Sequence, residues 1–228
     1  MELNRRSFVK TALAAGTLLT AGIAGTAVAQ EAAPEPLPAP QSDPAGERVD
    51  DVNINMETID QYLGRPDVAY RDVRHLYKTD ESGAKVVDLS STLKGFKVVP
   101  YIHIAPMGAD TANGTELFTL EWDEDGAIVS ATPNYQESLM IVEELFPRDR
   151  PIFIMCTSGG RANMTKKLLL FLGWDPALLY NVGGQKDYAG TQLTEIVVPA
   201  KMRGESDVYA VWRVDYATID PELLHVAE

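Results

Sequence analysis

Cys156 is the single cysteine of the 228-residue chain, and Arg161 follows it with only Thr157, Ser158, Gly159 and Gly160 between. A thiolate is the nucleophile of sulfur transfer, phosphoryl transfer and disulfide exchange. Four small residues after a cysteine leave room for backbone N–H groups to curl around a sulfur. A helix that starts just beyond them adds the positive end of its dipole. Such surroundings bind anions and favour thiolate over thiol. Arg161 supplies a cationic edge or braces the loop through its guanidinium. The competing reading is that Cys156 packs as a small apolar residue, as free cysteines often do. One cysteine permits no intramolecular disulfide and no Cys-x-x-Cys pair.

The elements that must position this thiol are legible on both sides of it. Residues 152–155 form a continuous apolar run behind Pro151, the pattern of a strand buried on both faces of a parallel sheet. Ala162, Thr165, Leu168, Leu169 and Leu172 share one helical face, and Gly173 is a helix stop. Residues 178–182 read as the next strand, with Gly183 and Gly184 turning into residues 185–188. The sulfur is therefore expected where a strand ends and a helix begins, in a loop open to solvent.

With these elements in place, CTSGGR, the Lys/Leu-rich helix after it, Gly173-Trp174 and YNVGGQKDY resemble the active-site region of single-domain rhodanese-like sulfurtransferases. The resemblance covers roughly residues 55–189 and is strong only from Ile152 onward. It implies an α/β domain with a mainly parallel sheet and helices on both faces. It also implies that Cys156 is the catalytic residue and carries sulfur as a persulfide. Thr157, Ser158, Gly159, Gly160 and Arg161 would bind the substrate, and no cofactor or metal would be needed. The six-residue loop has that family's length; related cysteine phosphatases have one residue more and a His where Met155 stands. Asp72-Val73-Arg74 resembles the end of the family's first long strand. Asp72 reads as half of a buried ion pair, and Arg74 as a candidate for holding an anionic substrate. The donor would be a small sulfur-containing anion or a persulfide, and the acceptor a thiol or cyanide. Many small rhodaneses carry a basic residue where Thr157 stands, so this chain favours an uncharged or protein-bound donor. A non-catalytic rhodanese-like binding module and a cysteine phosphatase are the alternative readings.

The rest of the chain sets the context. Asn4-Arg5-Arg6-Ser7-Phe8-Val9-Lys10 is a twin-arginine signature, followed by an uncharged, mildly apolar stretch to Ala29 with a small-x-small site at Ala27-Val28-Ala29. Residues 1–29 thus read as an export signal for the twin-arginine translocase, and the expected location is the periplasm. A retained membrane anchor is the competing reading, disfavoured by the Gly, Thr and Ala content of the stretch. Loss of residues 1–29 takes the formal charge from −13 to −15, because three positive charges and one negative charge leave. Nucleic acid and anionic lipid are poor partners for such a surface. Residues 30–50, rich in Pro, Ala and acids, read as a disordered linker. Residues 51–194 are the expected domain, and 195–228 a C-terminal extension with strand-like pieces at 196–198 and 208–214.

Within the domain, residues 52–54 are a short strand candidate, and Asn55 caps a helix over 56–63. Residues 67–74 are a strand. His103 reads as a packed core histidine in the apolar segment 95–106. Residues 117–130 read as a β-hairpin turning at Asp125-Gly126, a wall beside the loop, and the helix after it, 135–146, is capped by Asn134 or Thr132.

Overall fold

The computed structural model describes residues 34–102, 116–196, 219 and 223–228. The twin-arginine residues, the cleavage site, His103 and the strand-like piece at 208–214 lie outside the described residues.

In chain order the strands are β1 (Ala69–Asp72), β2 (Tyr77–Thr79), β3 (Lys85–Val87), β4 (Ser91–Leu93), β5 (Lys97–Val98), β6 (Phe118–Trp122), β7 (Ile128–Pro133), β8 (Ile152–Cys156), β9 (Leu179–Gly184) and β10 (Leu193–Glu195). Two α-helices flank β8: α1 (Ser138–Leu145) before it and α2 (Gly160–Phe171) after it. The central sheet has four strands in the order β5-β1-β8-β9, and every neighbouring pair is parallel. Three two-stranded antiparallel pieces surround it: β2 with β3, β4 with β10, and β6 with β7.

β8 is buried throughout, which explains its unbroken apolar sequence. Its side chains alternate between two cores. Ile152, Ile154 and Cys156 join Ile141, Val142 and Leu145 of α1 and Ala162, Leu168 and Leu169 of α2. Phe153 and Met155 point the other way, to Ile54, Met56, Ile59, Tyr70, Leu93, Phe96, Tyr180 and Val182. Among the described residues both α-helices therefore cover one face, against the expectation of helices on both. The second face is closed by loops and by the 3-10 turn Ile59–Gln61.

That second cover replaces two expected elements. Residues 52–54 form no strand, because the Asp51 carboxylate captures their backbone, accepting the N–H of Asn53 at 2.9 Å and of Ile54 at 2.8 Å. Asn55 accepts the Glu57 N–H at 3.0 Å but caps no helix: the expected helix over 56–63 is replaced by the short 3-10 turn, whose N-cap, Thr58, makes no side-chain capping bond.

The hairpin is β6–β7, with Gly126 at φ 73° in its turn and the Asp123 carboxylate accepting the N–H of Asp125 and Ala127 at 3.0 and 2.7 Å. It leans on α2, where the Lys167 ammonium donates to the Gly126 carbonyl at 2.6 Å. α1 starts later than expected and is not capped by Asn134 or Thr132. The Asn134 amide donates instead to the Glu116 carbonyl, and Ser138 Oγ accepts the Tyr135 N–H. α2 ends as expected: Gly173 has φ 87°, and the N–H groups of Gly173 and Trp174 return to the Leu170 and Leu169 carbonyls at 3.0 Å.

Pro36–Glu228 is one compact unit. The expected linker is therefore largely part of the folded unit. Leu37 packs on the second core, the Pro38 carbonyl accepts from the Tyr180 hydroxyl at 2.8 Å, and the Val49 carbonyl accepts from Asn181 Nδ2 at 2.6 Å. A segment poor in apolar side chains is held through its backbone carbonyls, which composition does not display. The C-terminal extension is likewise tied in. Glu195, the last residue of β10, pairs with Ser91 of β4, Ile219 is buried in the main core, and Val226 bridges Tyr135.

Candidate functional site

β8 delivers Cys156 to the carboxyl edge of the sheet. The last bond to β1 is from the Val73 N–H to the Met155 carbonyl at 2.9 Å, and Cys156 lies in register with Gly184 on the other side. The chain then leaves the sheet. Thr157 and Ser158 are exposed, Gly159 is buried at φ 84°, and α2 begins at Gly160. The Thr157 carbonyl is held by the Lys186 N–H at 3.2 Å.

The loop backbone lies flat against the end of β9. A Cβ on Gly184 would stand 2.3 Å from both Ser158 Cα and the Thr157 oxygen. Gly184 has an ordinary extended backbone, so it is glycine for space and not for conformation. A Cβ on Gly159 would meet Val49 Cγ2 at 2.9 Å, and one on Gly183 would meet Asp50 Oδ2 at 3.2 Å. Gly159 and Gly183 also have positive φ, so two constraints select glycine at each. The sequence suggested a tight turn at 183–184; the structure has close backbone packing, with both residues inside β9.

None of the hydrogen bonds among the described residues uses the N–H of Thr157, Ser158, Gly159, Gly160, Arg161 or Ala162. The first helical bond of this end runs from the Asn163 N–H to the Gly159 carbonyl at 2.9 Å. Six consecutive donors thus follow the thiol at a helix N-terminus, an arrangement suited to an anion or a polarisable sulfur.

Cys156 itself is only 1 % exposed and belongs to the core cluster that holds Val73, Tyr101 and Ala162. This corrects the expectation of a thiol open to solvent. Tyr101 is the residue that sequence reasoning missed. Burial raises the pKa of its phenol, with the Arg161 guanidinium opposing and the Cys156 charge adding to the rise, so the ring lies within electrostatic reach of both. Its hydroxyl donates to Met164 Sδ at 3.3 Å, and the His75 ring centroid is 6.1 Å from its own. The only signal in the sequence was an aromatic residue with a hydroxyl amid the apolar run 98–102.

Arg161 is half-buried and its carbonyl accepts from Thr165 Oγ1 at 2.9 Å. Arg74 sits just past the end of β1 and pairs with Asp72, Nε to Oδ1 at 2.9 Å and Nη2 to Oδ2 at 2.6 Å, while Nη2 also donates to the Ser91 carbonyl at 2.7 Å. Asp72 is fully buried and also accepts from Thr92 Oγ1 at 2.8 Å. The pair clamps β1 to β4. Beside it, Gln185 Nε2 reaches Ser91 Oγ at 3.5 Å, and Gln185 Oε1 is buried without a hydrogen-bond partner among the described residues. Among the described residues no group of three or more His, Cys, Asp and Glu is placed to hold a metal ion.

Comparison of the chain with family models, with curated proteins and with solved structures found no match.

Proposed function

We propose that this protein is a rhodanese-like sulfurtransferase, exported to the periplasm by the twin-arginine route, with Cys156 as the sulfur carrier. The observation that carries the reading is the run of six uncommitted N–H groups directly after the one cysteine, at the end of a buried parallel strand.

In the first half-reaction the Cys156 thiolate attacks the outer sulfur of a thiosulfate-like or persulfide donor. A new S–S bond forms on Cys156, the donor's own S–S bond breaks, and its electron pair leaves with sulfite or a thiolate. In the second, an acceptor thiolate or cyanide takes the terminal sulfur, and Cys156 returns as thiolate. The loop amides stabilise the terminal sulfur and the departing anion, and the Thr157 and Ser158 hydroxyls add donors. Arg161 brings positive charge to the thiol side of the loop. Arg74 acts by holding Asp72 and Ser91, and through them the strand ends beside the loop.

The burial of Cys156 favours one other reading, a rhodanese-like module that binds a partner and transfers nothing. Intact mass separates them. Incubation with thiosulfate or a low-molecular-weight persulfide should add one sulfur atom, and Cys156→Ser should gain none. Wild-type protein that takes sulfur from neither donor leaves the binding module; turnover of a phosphoester instead would move the site to the phosphatases.

A further inference from the structure

Asn181 ties three parts of the molecule together at the thiol loop. It is 2 % exposed. Its Nδ2 donates to the Val49 carbonyl at 2.6 Å and to the Gly159 carbonyl at 3.2 Å, and its Oδ1 accepts the Gly183 N–H at 3.1 Å. Its own carbonyl accepts the Asp51 N–H at 2.7 Å. One buried side chain therefore holds the residue that caps α2, the end of β9 and the N-terminal segment.

That segment is shaped for the purpose. The Asp51 carboxylate accepts the Gln41 N–H at 2.6 Å, and the Val52 N–H returns to the Gln41 carbonyl at 2.9 Å, closing residues 41–52 into a loop. Within it, Val49 lies on Gly159, where a Cβ would stand 2.9 Å from its Cγ2, and Asp50 lies on Gly183, where a Cβ would be in tight contact with Oδ2 at 3.2 Å. Asp50 is steadied by Arg48, whose Nε and Nη2 donate at 3.2 and 3.1 Å. Asp51 also faces α2 electrostatically, where it partly offsets the lowering of the Lys166 pKa by burial.

We infer that Asn181 is a positioning residue for the loop Cys156–Gly160, and that residues 41–52 form a wall of that site. Asn181 fixes the left-handed cap at Gly159, so it aims the N–H groups on either side of that cap. The wall closes the loop from outside the sheet. The inference rests on Cys156 being the working residue, but its test does not require sulfur transfer.

In the full chain, Asn181→Ala removes the clamp and Asp51→Ala opens the wall while leaving Asn181 in place. Trp174→Phe, at the far end of α2, is the control for simple destabilisation; it loses the bond from indole Nε1 to the Phe146 carbonyl. The readouts are the rate of Cys156 alkylation by iodoacetamide under native conditions, trypsin cleavage after Arg48, the melting temperature, and transfer from thiosulfate. Because Cys156 is 1 % exposed, alkylation reports opening of the loop. Asn181→Ala should speed alkylation by about tenfold, the effect of losing buried hydrogen bonds on a local opening equilibrium. Asp51→Ala should do so too and should hasten cleavage after Arg48. The control should do neither at an equal melting temperature. In a wild type that transfers sulfur, Asn181→Ala should lower the transfer rate while alkylation rises, a combination that Trp174→Phe should not show at an equal melting temperature. Alkylation that follows melting temperature alike in all three variants would overturn the inference. A wild type that transfers no sulfur would overturn the proposed activity alone, because alkylation still decides the role of Asn181.

Discussion

Gly160 and Gly184 lie at opposite limits of what a methyl group can do. Gly160 has nothing within 4 Å of a Cβ and stands at the first position of α2, whereas Gly184 has loop backbone at 2.3 Å. Gly160→Ala should stabilise the protein by about 0.4–1 kcal/mol by restricting the unfolded chain. Gly184→Ala should cost about 1–3 kcal/mol, the range for overpacking, because backbone and not a flexible side chain must give. Chemical denaturation measures both. Sulfur transfer should survive the first change and fall sharply in the second. Equal stability in the two variants would contradict the packing of the loop on β9.

At the scale of elements, the C-terminal residues dock on the start of α1. The Gln136 N–H donates to the His225 carbonyl at 2.8 Å, the Ala227 N–H to the Asn134 carbonyl at 2.9 Å, and the His225 N–H to Glu137 Oε2 at 3.1 Å. A hydrogen bond from the His225 ring holds the Glu137 carboxyl below its usual 4.5, so the folded state prefers the carboxylate. The contribution to docking is thus complete above pH 4.5 and is lost as pH falls through the lowered value. Hydrogen exchange at His225 and Ala227 should therefore accelerate in acid relative to the amides of β8. Glu137→Gln should bring that acceleration to neutral pH.

Local pattern made part of this architecture readable. β8, α2 and the Gly173 stop follow from an apolar run, a helical stripe and a left-handed glycine, all within 22 residues of chain from Ile152 to Gly173. The same holds for the β6–β7 turn. What stayed hidden depends on partners far away in sequence or on a side chain that competes locally for the backbone. Asn181 looked like an ordinary strand residue, since its acceptor at Val49 is 132 positions distant. Residues 41–52 looked like a spacer, since their anchors are backbone carbonyls and one carboxylate. Residues 52–54 have strand propensity, but Asp51 offers their N–H groups a closer acceptor than any neighbouring strand.

The whole molecule is acidic, with a formal charge of −13, and in our reading it leaves the cytoplasm already folded. Replacing both Arg5 and Arg6 by Lys should abolish export, whereas the unchanged chain should yield a mature form starting near Gln30 in the periplasm. Cell fractionation with N-terminal sequencing decides this, and unimpaired delivery of the double variant would remove the twin-arginine reading. Synthesis order gives the Asn181 clamp a kinetic consequence. The Val49 and Pro38 carbonyls emerge from the ribosome first, but their donors on Asn181 and Tyr180 come 132 and 142 residues later. Contacts of such separation form slowly, because long loops must close before they are rewarded. The earliest part of the domain to be made is thus among the last to be fixed, and the thiol loop is not fully walled until β9 has joined the sheet. In refolding experiments, protection of the Asp51 amide should trail protection of β8. An export route that accepts only finished proteins would give this chain the time that its first residues need.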